Sequence, residues 1–210
     1  MSTGRAEAFS DGVFAVAITV LVFGLLPIGT GKLDANVLLV QAWPEYFAYV
    51  VSFLTIGIMW MNHHTIMAHV ARVDRPLLVI NLLLLMGIVA IPFPTALVAE
   101  HLQHPGGKYA TVTYGLVMIA ISAGFAALWV YVATHAAALG AALPPEALRS
   151  SLTGWTLGGV AYVAGTLIAG LVSAVAGMVI FGALAVYYLF EHLPSPAEDA
   201  PGSSAAEPGP

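Results

Sequence analysis

The sequence predicts an all-α, polytopic membrane protein with six transmembrane helices per subunit, and three observations carry that prediction. Of its 210 residues 60% are apolar and only 8% are charged, whereas roughly one quarter of an average soluble domain is charged. Apolar stretches of about twenty residues recur along the chain, each long enough to cross a hydrocarbon layer of about 30 Å as a helix. Pro44 and Pro76 stand at the first turn of two of these stretches, where the missing N–H is not needed.

Hydropathy places the spans at residues 7–28, 44–69, 76–99, 109–135, 150–170 and 173–192. The first is entered through R-A-E-A-F-S-D, residues 5–11, which runs directly into an apolar segment, 12–28. Mixed charges at its start and no small-residue cleavage pattern behind it make this a span rather than a cleaved signal. Ionisable groups at the head of such a helix are costly unless paired, so they are functional-site candidates. In the third span, Pro92 and Pro94 of I-P-F-P-T predict a kink or an early end, with freed carbonyls satisfied by neighbouring helices.

The last two spans need an argument of length. From Trp155 to Phe190 no charge occurs, and one helix of that extent would reach about 54 Å. The chain must therefore fold back, and G-L-V-S at Gly170 to Ser173 is the candidate turn. Gly158, Gly159, Gly165, Gly170, Gly177 and Gly182 read as sites of close helix packing. The tail, 194–210, rich in Pro, Ser, Ala, Glu and Gly, has no apolar payload and is expected to be disordered, which leaves 1–193 as one membrane domain. Arg5, Arg72, Arg75 and Arg149 fall on one side of six spans and Lys32 and Lys108 on the other. Both termini are therefore expected to be cytoplasmic.

Zero cysteines exclude a disulfide framework, a thiolate metal site and a cysteine nucleophile. The net charge of −5 owes much to tail carboxylates and points to no partner. The chain has no G-x-S-x-G, H-E-x-x-H, P-loop or Rossmann glycine pattern, and no basic surface for nucleic acid. No enzyme constellation is expected.

On the first helix Val16, Thr19, Val20 and Phe23 follow an i, i+3, i+4, i+7 spacing and share one face. That face reads either as a packing seam or as the lining of an aqueous path narrowed by apolar rings, with the Thr19 hydroxyl as its polar member. Periodicity leaves both open. The second helix carries W-M-N-H-H-T-I-M, which puts Trp60, His63, His64 and Met67 at neighbouring positions of one face. Adjacent histidines diverge by about 100°, and carboxylates at ligand spacing are absent from this helix, so no metal is expected. The expected role is a buried hydrogen-bonded network in which imidazole and indole face Ser10 and Asp11 at similar depth, with Arg5 and Asp11 neutralising one another through it. Such a network would fix the angle of the first helix. Asn81, Ser122, Thr134 and Thr153 read as interhelical hydrogen-bond donors, and Glu100, His101 and His104 as solvated loop residues.

Three segments carry a family resemblance: R-A-E-A-F-S-D-G-V-F-A-V-A-I-T, W-M-N-H-H, and N-L-L-L-L-M-G-I-V-A-I-P-F-P-T. With them the chain resembles a bacterial member of the endolysosomal potassium-channel family known as transmembrane protein 175. The resemblance is close over the first three helices, and the six-span layout extends it over the rest. It implies a channel without the T-V-G-Y-G filter, a run that does not occur here, and a homotetramer whose first helices surround a central pore. Carried over by position, Arg5, Phe9, Ser10 and Asp11 match the signature, and Trp60 and His64 match the partners that hold it. The narrowest apolar ring falls on Val16, the hydroxyl position on Thr19, and further lining on Val20 and Phe23. Relatives usually place isoleucine or leucine at the ring, so either Val16 or Phe23 is the narrowest point. Met67 stands where a phenylalanine is common.

A single stripe with no second copy in the chain also requires several identical subunits around a closed axis if it is to border a path. The expected function is passive potassium conduction with modest preference over sodium, in the bacterial inner (plasma) membrane. The implied partners are three further copies, membrane lipid and monovalent cations, with no cofactor beyond permeant potassium ions. The alternative is a proton-coupled secondary transporter using Asp11 and the His63/His64 pair, although such carriers usually show inverted repeats and broken helices.

Overall fold

In the computed structural model, residues 3–25, 39–141 and 145–190 are described, with side chains of the last segment from residue 157 onward. The helices are α1 (Thr3–Leu21), α2 (Trp43–Ala68), α3 (Arg75–Ala90), α4 (Pro92–His101), α5 (Gly107–Thr134), the single turn α6 (Ala136–Leu139), α7 (Pro145–Leu171) and α8 (Ala174–Phe190). No strand occurs among the described residues. Among the described residues four helical stretches are long and apolar enough to cross a membrane: Thr3–Leu25, Trp43–Ala68, Arg75–His101 and Gly107–Thr134. Leu157–Leu171 and Ala174–Phe190 are shorter apolar helices. The expected ends of the first and sixth spans at Ile28 and His192, the loop lysine Lys32 and the tail 194–210 lie outside the described residues, as does the side chain of Arg149.

Local chemistry explains several boundaries. Asp74 is extended at φ −104° and ψ 175°, and its side chain accepts the Leu77 N–H at 2.9 Å, capping α3 ahead of Pro76. Its second oxygen accepts the Tyr131 hydroxyl at 2.6 Å. These bonds, the Tyr131 one foremost, hold the Asp74 carboxyl below the usual carboxylate range. Pro44 opens α2, with Glu45 in the same first turn.

The expected interruption of the third span falls at Ile91, between α3 and α4. Pro92 has no N–H for the carbonyl of Ile88, which accepts the Ile91 N–H at 3.1 Å instead. One turn later the Ile91 carbonyl takes both the Thr95 N–H at 3.1 Å and the Thr95 hydroxyl at 2.8 Å. Thr95 also meets Ser52 of α2 at 2.8 Å, and Ser52 meets the Tyr114 hydroxyl of α5 at 3.1 Å. The broken span is thus tied to α2 and α5 by buried hydroxyls.

Two packed groups result. Helix α1 lies against α2, α3 and α4, while α5, α7 and α8 pack on one another; α2, α3 and α4 join the groups through their contacts with α5 and α8. The chain turns back between Leu171 and Ala174, as the charge-free stretch requires. Close approach at α7 and α8 depends on glycine: a Cβ at Gly177 would lie 2.5 Å from the Ala169 Cβ and 2.9 Å from the Gly165 carbonyl oxygen.

Candidate functional site

Helix α1 divides into two faces. Ala6, Ser10, Phe14, Ala17 and Leu21, spaced by three and four residues, are buried within the subunit. Val16 is 58% exposed with Thr19 and Val20 exposed beside it, and Phe23, in the 3-10 turn that follows Leu21, continues the uncovered side at 59% exposed. Phe9 is exposed too, and seven residues return a helix to within about 20°, so Phe9 continues the stripe one step toward the N-terminus. The periodic face singled out in the sequence is therefore the one this subunit leaves uncovered. It is not an internal seam. Thr19 donates its hydroxyl proton to the Ala15 carbonyl at 2.7 Å, which leaves only oxygen lone pairs facing outward.

The second cluster holds the base of α1 by two routes. In the buried route, His63 Nε2 donates to Asn81 Oδ1 at 2.8 Å, Asn81 Nδ2 donates to Ser10 Oγ at 3.0 Å, and Ser10 donates to the Ala6 carbonyl at 2.9 Å. The protons run one way along this chain, so His63 carries its hydrogen on Nε2. His63 is 1% exposed, Asn81 and Ser10 are buried with it, and the imidazole packs against Phe14 at a centroid distance of 5.5 Å. In the exposed route, Trp60 Nε1 donates to Asp11 Oδ1 at 2.8 Å, the Trp60 ring stacks on His64 at 6.2 Å, and His64 Nδ1 lies 3.9 Å from Glu7 Oε1.

Three details differ from the sequence expectation. Trp60, His63, His64 and Met67 do not act as one face: His63 and Met67 turn inward, whereas Trp60 and His64 stay exposed. The two histidines consequently serve different partners and form no pair. Arg5 is exposed and enters no ion pair among the described residues, so its expected neutralisation of Asp11 is absent within the subunit. Six residues separate the two groups, about 9 Å along the axis and roughly 120° around it. Asn81 is the residue whose importance the sequence understated. It is the bridge between His63 and Ser10 and brings α3 into the network.

Comparison with known proteins was consistent with this geometry. Residues 5–92 match the family model described as the endosomal/lysosomal potassium channel TMEM175. A protein of Streptomyces collinus named as a potassium channel is 42% identical over 206 residues, covering 96% of this chain and 98% of the relative. Another so named, from Chamaesiphon minutus, is 46% identical over 136 residues, 63% of this chain and 66% of that protein. The crystal structure of a lysosomal potassium-selective channel TMEM175 homologue from Chamaesiphon minutus superposes with a TM-score of 0.76 at 34% identity, covering 89% of this chain and 96% of that one. The uncovered stripe, the doubly anchored α1 base and these likenesses lead to one assignment: the chain belongs to the TMEM175 family.

Proposed function

We propose that this chain is the subunit of a potassium channel in which the exposed stripe of α1 borders the ion route. The observation that carries the reading is the uncovered face of Phe9, Val16, Thr19, Val20 and Phe23 in a chain whose full-length relative is named a potassium channel. Four copies with six spans each, arranged about a common axis, would bring the four stripes together. Rings of Val16 or Phe23 would then form a dry constriction that conducts when it widens and wets. Thr19, its proton given to Ala15, would offer a ring of acceptor oxygens to a partly dehydrated cation. Hydroxyl rings discriminate less strongly than cages of backbone carbonyls, so the preference for potassium over sodium is modest.

In this reading Ser10, Asp11, Trp60 and His64 of the signature set hold the constriction rather than touch the ion, with Asn81 added to that set, while Phe9 stands on the stripe itself and Arg5 is left for contacts outside the subunit. The bond lengths support it: Asp11 is committed to Trp60 and the buried His63 to Asn81, which leaves the proton-carrier alternative without a shared site. The channel would reside in the bacterial inner membrane with both termini cytoplasmic. Its interacting species would be lipid, monovalent cations and its own copies, and it would need no cofactor.

The test is potassium flux from liposomes carrying the purified protein. Passive flux down the gradient is expected, and Val16→Ala or Phe23→Ala should raise it severalfold by widening the constriction. A saturable, proton-coupled flux indifferent to both substitutions would refute the channel reading.

A further inference from the structure

A chamber of about 860 Å³ opens beside the C-terminal end of α1, walled by Val20 of α1 and Phe23 of the turn that follows it, Glu45 and Tyr49 of α2, and Phe93 and Glu100 of α4. Its size falls within the range of small-molecule sites, and so does its make-up of apolar walls with a few polar groups. Two carboxyl side chains line it, and no Lys, Arg or His does so among the described residues. Glu45 is half-buried, and its Oε2 is buried without a hydrogen-bond partner among the described residues. Glu100 is largely exposed, with the His101 ring at 3.9 Å.

Two acids with no basic side chain beside them among the described lining residues, in an apolar space walled by three aromatic rings, are complementary to one kind of ligand. A cation would satisfy the charge, and an apolar body would fill the walls and meet the ring faces. A small inorganic ion would gain nothing from the apolar walls, and an anionic headgroup would be repelled by both acids. We propose that the chamber binds amphiphilic organic cations of the tetraalkylammonium or alkylamine class. Val20 and Phe23 belong both to its wall and to the exposed stripe of α1, so occupancy reduces ion flux. This last step rests on the channel reading above; the binding step does not.

The probe is tetrapentylammonium, titrated calorimetrically into the purified full-length protein, with tetramethylammonium as the cation lacking an apolar body. Saturable binding of the larger cation is expected, at least tenfold tighter than the smaller one. It should weaken at least tenfold in Glu45→Gln and about threefold in Phe93→Ala and Glu100→Gln, and stay unchanged in Val16→Ala. If Glu45→Gln does not yield folded protein, the Phe93 and Glu100 variants carry the test. Absence of saturable binding, binding indifferent to the chamber variants, or binding that follows Val16 instead overturns the proposal; the last result would put the cation on the ion route. Flux inhibition should follow the same order of variants. Binding sensitive to the chamber residues in a protein that passes no potassium would refute the channel reading alone, whereas flux without such binding would refute the chamber alone.

Discussion

Replacing Asn81 by leucine tests whether the buried bridge acts as a unit. The substitution deletes two interhelical bonds, of 2.8 Å to His63 and 3.0 Å to Ser10. Such bonds within a membrane are worth about 0.6 kcal/mol each on average. It also strands the His63 N–H, a buried donor whose unmet hydrogen bond costs about 1–3 kcal/mol. The single variant should therefore lose roughly 2–4 kcal/mol. His63→Leu alone removes one bond and leaves the Asn81 carbonyl oxygen idle, for a loss of about 2 kcal/mol. In the double variant neither stranded group remains. The packing of Phe14 on the imidazole disappears equally in both variants that replace His63, so it cancels from the cycle. From these groups the double should lose only about 1 kcal/mol, and so be about 3–5 kcal/mol less destabilised than the sum of the singles. Reversible unfolding in mixed detergent micelles, followed by tryptophan fluorescence, measures the three differences. If the singles add to within about 0.5 kcal/mol, the bridge does not exist as a unit and the account of how α1 is held fails.

Two further outcomes are expected. Trp60→Phe keeps the aromatic surface but removes the N–H that Asp11 accepts at 2.8 Å; the bond is exposed, so the subunit should lose no more than about 1 kcal/mol, while the fraction eluting as the proposed tetramer on size-exclusion chromatography falls, as it should for Asp11→Ala. An unchanged tetramer fraction in both variants would refute a role for this bond in assembly. Because the folded-state pKa of Asp74 is depressed by the Tyr131 hydroxyl and the Leu77 N–H, its contribution to stability is complete above the unfolded value near 3.8 and is lost as pH falls through the lower folded value. Asp74→Asn should flatten this acid limb of a stability-against-pH curve, and a limb identical to that of the parent would refute the linkage.

The periodic signal in α1 was legible because every fourth or third residue on the buried side is small or apolar, which leaves the remainder to define a separate stripe. The break near Pro92 was legible as well, since proline removes a donor whatever surrounds it. That Asn81 donates between helices was legible, and it does so to Ser10; which partners it joins was harder to read. One amide in the run N-L-L-L-L-M-G-I-V-A has no periodicity, and its partners lie 18 and 71 positions away. The available clue was energetic: a lone amide among leucines at membrane depth has to find partners inside the protein. The fate of Arg5 could not be read either, because proximity in sequence says little about charges set on different sides of one helix. The chamber beside α4 was invisible for the same reason as the bridge, since Glu45 and Glu100 come to line one space only once α4 packs against α2.

The hydroxyl of Thr19 spends its hydrogen on Ala15, and its neighbours on the uncovered stripe are hydrocarbon. A freshly inserted protomer can therefore rest among acyl chains without an unmet donor, and greasiness alone gives it no reason to leave them. In the assembly proposed above, association has to come from steric fit between copies, so the yield of finished channels should depend on how crowded the bilayer is with newly made protomers.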